Sequence, residues 1–339
     1  GPLAVLAVSD RRLRQHRDAA NPAFPGTAGD GSVTPVILEL CDDAREYGRQ
    51  ALRAFSAAGG DELVQQAETK PEARETLVAA VLSDLGAWDL EPRADPNDLE
   101  AAAALCRSAG YWALPYPVAE RLARPADLDL DGLIVVSDSA PEGAIAGLES
   151  RWGTVTLRGV RSRAVPTPVT GPAFTVALGL TVIDTAGVGD VGLGLVLPCW
   201  TLLGMLDRAM ELTIAHIRLR KQFGQPLSAF QGVQFQLTDA EVERSGLEIL
   251  AKHALWSLAT GTTVVDDALA LRLAAIEAAD VVFRVCHQLH GAIGFCDETT
   301  LSWLSRYSQP LRRLPFGLSA TRDELTRRLG RHGLAGLFS

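Results

Sequence analysis

From about Asp42, Tyr47, Ala51, Leu52 and Phe55 recur at three- and four-residue spacing, and Gly59-Gly60 ends the run. That spacing predicts a helix buried along one face. Pro71 suits a first helical turn, so a second helix is expected from Pro71 to Leu85. Pro96-Asn97-Asp98 opens a third, carrying Leu99, Ala103, Leu105 and Cys106 to a terminator at Gly110. Pro115 and Pro117 then precede a short helical piece, Val118 to Leu122. These make a helical first domain over residues 1–128. Its first 35 residues are less regular: a basic run, Arg11 to Arg17, precedes Pro22, Pro25 and a Gly-rich link, predicting a short element and then a loop.

The period then shortens to two. Leu133-Ile134-Val135-Val136, Val155-Thr156-Leu157, Val165, Val169 and the stretch Phe174 to Val182 are strand candidates between turns, giving four or five strands. A sheet so small must lie against helices or another chain. Residues 129–190 are therefore expected to form a small β-domain and a hinge. Gly187-Val188-Gly189-Asp190-Val191-Gly192 spells GxGxxG, but no strand–loop–helix–strand unit or Gly-Lys-Ser/Thr follows, so it is expected to be a flexible lead into a helix. Residues 191–339 return to helical spacing. Leu202, Leu206, Met210, Ile214 and Ile217 form an apolar stripe ending near Gly224; further helices are expected from Phe230 towards Leu258, from Asp266 to His290 and from Thr321 to Leu329. Their length favours a bundle.

The 339 residues carry 32 basic and 41 acidic side chains, a formal net charge of -9, and no long charged block. A nucleic-acid backbone partner calls for a basic stripe, which is missing. Five separated cysteines (Cys41, Cys106, Cys199, Cys286, Cys296) read as free thiols. The apolar opening, Gly1 to Val8, is too short to span a bilayer and is not arranged as a signal peptide, so no membrane span and a cytoplasmic location are expected.

Candidate chemistry concentrates in two segments. In Arg220-Lys221-Gln222-Phe223-Gly224 the guanidinium could clamp a pyrophosphate and the ring could pack on a flat cofactor. A solvated basic helix end with Phe223 in the core fits the same residues. In Gln288-Leu289-His290-Gly291-Ala292-Ile293-Gly294-Phe295, small residues after an apolar helix allow a ligand or backbone to come close; a plain hydrogen-bonded helix end is the alternative. His287 and His290 lack the third ligand that zinc needs. No nucleophile–base arrangement follows from spacing.

Those segments, with Phe230-Gln231, Gln234, Glu298 and Arg306, resemble the C-terminal domain of the acyl-CoA dehydrogenases almost residue for residue. Leu85-Gly86-Ala87-Trp88 and the helix through Ala101 to Gly110 resemble the family's N-terminal helices more loosely. The resemblance implies a mainly α fold: N-terminal helices, a shortened middle β-domain and a C-terminal long-helix bundle. It also implies FAD, with Arg220 on the pyrophosphate of a neighbouring subunit's cofactor. Gln222, Phe223, Gln231, Gln288, Gly291 and Ala292 would line the same dinucleotide, Ala292 standing where the family has a second glycine.

Two departures accompany it. The middle domain is about half the family's size and lacks its flavin-holding loop. The catalytic Glu is also missing: Pro315 occupies the usual position and Gly194 the alternative one, with Asp190 the only carboxylate near the latter. No catalytic residue is therefore assigned. This pattern resembles the base-lacking subunits of actinobacterial heteromeric acyl-CoA dehydrogenases acting on steroid side-chain thioesters. A second dehydrogenase-like subunit, in a heterodimer or α2β2 tetramer, would then carry the base and most of the acyl-CoA site. A fold without redox activity, and a homomeric dehydrogenase with a displaced base, are the alternatives.

Overall fold

The structure is a computed structural model that describes residues 39–168, 174–261 and 264–332. The expectations for residues 1–35 and for Val169 fall outside those residues.

Among the described residues five helices come first: α1 (Asp42–Ala57), α2 (Glu62–Thr69), α3 (Arg74–Asp84), α4 (Pro96–Tyr111) and α5 (Val118–Leu122). The proline signals hold. Pro96 occupies the first turn of α4, where its missing N–H costs nothing, and the carboxylate of Asp95 accepts from the Asn97 amide at 2.8 Å. Pro71 opens a 3-10 turn, Pro71–Ala73, that leads into α3. Sequence periodicity missed α2, whose eight residues bury Leu63, Val64 and Ala67.

Five short strands follow: β1 (Gly132–Val135), β2 (Glu142–Gly143), β3 (Trp152–Val155), β4 (Arg161–Pro166) and β5 (Val176–Asp184). They form one sheet in the order β1-β3-β4-β5-β2, with β1 parallel to β3 and the other pairs antiparallel. Every residue of β1 and β3 is buried, while β5 exposes most of its outer half, including Val182 and Ile183. One end of the sheet is thus covered by helices and the other is open.

The helix α6 (Val188–Leu219) runs through the middle of the protein. It starts fourteen residues before the predicted stripe and absorbs the expected hinge. The reason is tertiary: Asp190, Val191, Leu193 and Leu195 are buried, so packing and an ion pair hold a glycine-rich stretch helical. This helix is long and apolar enough to cross a membrane, but 78% of its apolar window is buried inside the protein. It packs against α4, α8 and α7.

The α4–α6 contact is unusually close. A Cβ on Gly110 would lie 1.8 Å from the Thr201 carbonyl oxygen, and one on Gly204 would lie 1.8 Å from the Arg107 carbonyl oxygen. The two glycines therefore form a reciprocal notch in which the helix backbones touch.

After α6 the chain makes a hairpin, β6 (Lys221–Gln222) and β7 (Gln225–Pro226). Then come α7 (Gln231–Thr260), α8 (Val264–His290), a 3-10 turn at Gly291–Phe295, α9 (Thr300–Tyr307), α10 (Gln309–Arg313) and α11 (Leu318–His332). The result is N-terminal helices, a small sheet and a bundle of three long helices, all sharing one continuous hydrophobic core.

Candidate functional site

The ends of α6 and α8 lie side by side and join the two signature segments. His216, one turn before Arg220, stacks on His290, one residue before Gly291, with ring centroids 4.4 Å apart. The Nδ1 of His290 donates to the Cys286 carbonyl at 2.9 Å, which fixes its ring. Burial lowers the proton affinity of both imidazoles, and the charge of Arg220 adds to the effect at His216. His287 stacks in turn on Phe295, with centroids 4.4 Å apart.

Arg220 is exposed at the end of α6. Its N–H donates to His216 O at 2.8 Å and its carbonyl accepts from Leu227 N at 2.8 Å. Among the described residues its guanidinium has no acidic partner. The expected helix end is thus a hairpin instead. Phe223 and Gly224 form its two-residue turn, with φ +50° and +81°, matching the type I′ turn favoured in hairpins. Positive φ is rare for a bulky residue and strains the backbone. The turn lifts Phe223 out of the protein: its ring is 93% exposed and meets only the edge of Phe230, at 6.3 Å. A place in the core, one reading of the sequence, is therefore excluded.

Gln222, Gln231, Gln288, Gly291 and Ala292 are exposed too, and a Cβ on Gly224 or on Gly291 (φ +67°) would meet no atom within 4 Å. All seven expected cofactor contacts therefore lie on the surface around the hairpin and the end of α8. An unpaired guanidinium, a projecting ring, two glycine-opened turns and three amides suit one side of a dinucleotide. None of them lines the cavities of about 630, 350 and 40 Å³ found among the described residues.

The two positions matched to the family's catalytic Glu come together elsewhere. Gly194 and Pro315 line one cavity of about 40 Å³, together with Glu120, Val135, Leu314 and Arg272. That volume holds a water or two, far below the 300–1,000 Å³ of ordinary ligand pockets. Neither matched position supplies a carboxylate, but α5 does. Sequence spacing gave no sign of Glu120, because it arrives from a five-residue helix more than 70 residues before Gly194. Burial raises the Glu120 carboxyl above its usual range, and only the charge of Arg74 and its own backbone N–H oppose this.

Arg74 and Arg272 are both 2% exposed and both bind carbonyls rather than carboxylates. Arg74 donates to the carbonyls of Pro115, Ala146 and Ala144 at 2.7, 2.8 and 3.0 Å and lies over the Phe174 ring. Arg272 donates to Leu311 and Phe316 at 2.9 Å and to Arg312 at 3.3 Å, capping the last carbonyls of α10. Burial pulls each guanidinium down to about 10, so both stay charged at neutral pH. By these bonds Arg272 holds the segment that carries Pro315 against the cavity.

Asp190 is engaged elsewhere. Its carboxylate meets Arg161 Nε at 2.7 Å and Arg93 Nη1 at 2.9 Å, and it does not line the cavity with Gly194. A larger cleft of about 630 Å³ runs between the Thr69–Glu72 turn and the sheet, bordered by Gly147, Glu149 and Pro166; it contains none of the signature residues.

Residues 196–317 match the family described as acyl-CoA dehydrogenase, C-terminal domain. Acyl-CoA dehydrogenase FadE28 of Mycobacterium tuberculosis is 31% identical over 146 residues, covering 41% of this chain and 43% of that protein. FadE27 of the same organism is 29% identical over 143 residues, 38% of this chain and 36% of that one. The chain thus spans less than half the length of either relative in these matches. Among solved structures, the Tcur3481-Tcur3483 steroid ACAD has a TM-score of 0.72 at 17% identity, over 88% of this chain and 100% of that one. The ChsE4-ChsE5 complex from Mycobacterium tuberculosis has a TM-score of 0.66 at 15% identity, over 89% and 100%.

Proposed function

We propose that this chain, which belongs to the acyl-CoA dehydrogenase family, is one subunit of a FAD-dependent dehydrogenase whose catalytic Glu sits on a partner chain. The observation that carries this reading is the outward-facing cluster around Arg220, Phe223 and Gly291: it has the groups for one side of a dinucleotide, and among the described residues nothing closes over them. FAD, when bound, supplies the acceptor for the hydride leaving the β-carbon of an acyl-CoA thioester. Arg220 would pair with the pyrophosphate, Phe223 would cover a flat ring face, and Gln222, Gln231 and Gln288 would meet the polar edge. Gly291 and Ala292 would let the cofactor approach the backbone. This makes residues 191–339 the flavin-facing domain, following the helical domain proposed for residues 1–128 and the small β-domain proposed for 129–190.

The partner is a second acyl-CoA dehydrogenase-like chain, in a heterodimer or an α2β2 tetramer, and the location is cytoplasmic. The likeness to a steroid ACAD makes steroid side-chain thioesters the first acyl group to test. A second reading draws on Glu120, a carboxyl in the cavity shared by Gly194 and Pro315: it would be a displaced base in a self-sufficient dehydrogenase. The 40 Å³ volume weighs against it, since an acyl chain does not fit.

The test is to co-express the chain with a neighbouring dehydrogenase-like chain and purify the complex. Yellow protein with turnover only when both chains are present, and loss of flavin on Arg220→Ala, supports the first reading. Full flavin and turnover from this chain alone would overturn it. A colourless, stable assembly, retained after purification with added FAD, would point to a fold that has lost redox chemistry.

A further inference from the structure

Two imidazoles stack where the signature segments meet. His216 and His290 are half-buried, with ring centroids 4.4 Å apart and planes 18° from parallel. Each is tied to one half of the proposed flavin surface. The His216 carbonyl accepts from the Arg220 N–H at 2.8 Å, so a shift of His216 carries the guanidinium with it. On the other side the turn Gly291–Phe295 folds back over α8: a Cβ on Gly294 would lie 2.9 Å from the Cβ of His290. A shift of His290 therefore carries Gly291 and Ala292. Deeper in the protein the same two helices meet through buried groups, Cys286 Sγ donating to the Ala209 carbonyl at 3.6 Å. The stack extends that contact to the surface.

Neutral imidazoles stack as other flat rings do. One proton on the pair is tolerated, because both rings lie in the last turn of a helix, where positive charge is favoured. A second proton sets two like charges face to face. The other charged or titratable groups acting on the rings are Arg220, one turn beyond His216, and His287, one turn before His290. Both add only positive charge, and among the described residues no carboxylate counters them. The Cys286 thiol stays neutral, since burial pushes it up to about 11. We infer that His216 and His290 are positioning residues: stacked, they hold the two halves of the flavin surface in register, and doubly protonated they part and release the cofactor in mild acid. This deepens the flavin reading and rests on it for the occupant, but the stack itself is testable without flavin.

Hydrogen–deuterium exchange of the isolated chain is the first measurement. Wild type is compared with His216→Phe at equal pH, so that intrinsic exchange cancels; Phe keeps a flat ring and takes no proton. At about pH 5.5, below the ordinary imidazole range, peptides over 214–224 and 286–295 should exchange several-fold faster in wild type, and at pH 8 the two should match. Equal exchange at pH 5.5, or a difference just as large at pH 8, would overturn the inference. The second measurement is flavin affinity of the co-expressed complex, read from free-flavin fluorescence. Affinity should fall about tenfold per pH unit below the imidazole range, the slope of one linked proton. His216→Phe and His290→Phe should each flatten that profile, with circular dichroism checking that both fold. A flat wild-type profile, or variants as steep as wild type, would overturn the latch and leave the flavin reading intact. A complex without flavin at any pH would overturn that reading instead, and the exchange measurement, which needs none, then decides the stack alone.

Discussion

Replacing Asp190 separates a structural carboxylate from a catalytic one. Its side chain is 6% exposed, and it binds Arg161, itself 8% exposed, at 2.7 Å and Arg93 at 2.9 Å. It also lies in the first turn of α6, where the helix dipole favours a negative charge. Removing one partner of a buried pair typically costs about 3–5 kcal/mol, because the remaining charge stays buried without compensation. Arg161 keeps Asp127 at 2.6 Å, which moderates the loss, so about 3 kcal/mol is the expected cost of Asp190→Ala. For a chain of 339 residues that is a fall in Tm of roughly 4 °C. Asp190→Asn keeps the shape and some hydrogen bonding and should lose less. The assay is thermal unfolding of both variants beside wild type, with turnover of the co-expressed complex measured below the transition. An unchanged Tm would refute the ion-pair argument. An unchanged Tm with turnover abolished would show that Asp190 is the missing base.

Other expectations follow from the same contacts. Because burial raises the folded-state Glu120 carboxyl, its contribution to stability is full below the unfolded value, near pH 4.3, and is lost as pH rises through the folded one. Glu120→Gln should therefore stabilise the protein at pH 7.5 and change little at pH 4; thermal melts at both pH values check this, and loss of turnover in the complex would revive the displaced-base reading. At Glu248 burial pushes upward, but the bonds and charges of Arg107, Arg244 and Lys252 outweigh it and hold the carboxyl at about 2. Its stabilisation is present above about pH 4.3 and fades as pH falls towards 2, so Glu248→Gln should lower Tm at pH 7 and converge with wild type in acid. Phe223→Gly relieves a positive φ, so the isolated chain should melt no lower, while the complex retains less flavin by its visible absorption.

The helices and the motif positions were legible because burial along one helix face leaves a period in the sequence. That period locates α1, α4, α5 and the three long helices, and the two signature segments stand at the ends of two of them. What it could not give was anything fixed by contacts between distant residues. The glycines at 187–194 look flexible in one dimension, yet Asp190 and its arginines hold them in a helix. Arg220 to Gly224 looks like a fraying helix end, but the left-handed turn at Phe223 makes it a hairpin. Glu120 has no local signature at all. Its neighbours Gly194 and Pro315 lie more than 70 and 190 residues on, and only the fold shows that they share a cavity.

The glycine notch between α4 and α6 sets a datum for the far end of the longer helix. Gly204 is sixteen residues before Arg220, or about 24 Å along a helix. With backbones in contact at Gly110 and Gly204, α6 cannot slide without collision. The register of Arg220 is thus set by a stop in the first domain as well as by the local hairpin bond from Leu227 at the surface where the proposed cofactor would sit. A slip of one turn would displace the guanidinium by about 5.4 Å, enough to miss a phosphate altogether. Gly204→Ala, remote from the proposed cofactor, is accordingly a misalignment as much as a packing defect: the protein would behave like a ruler whose zero mark has moved.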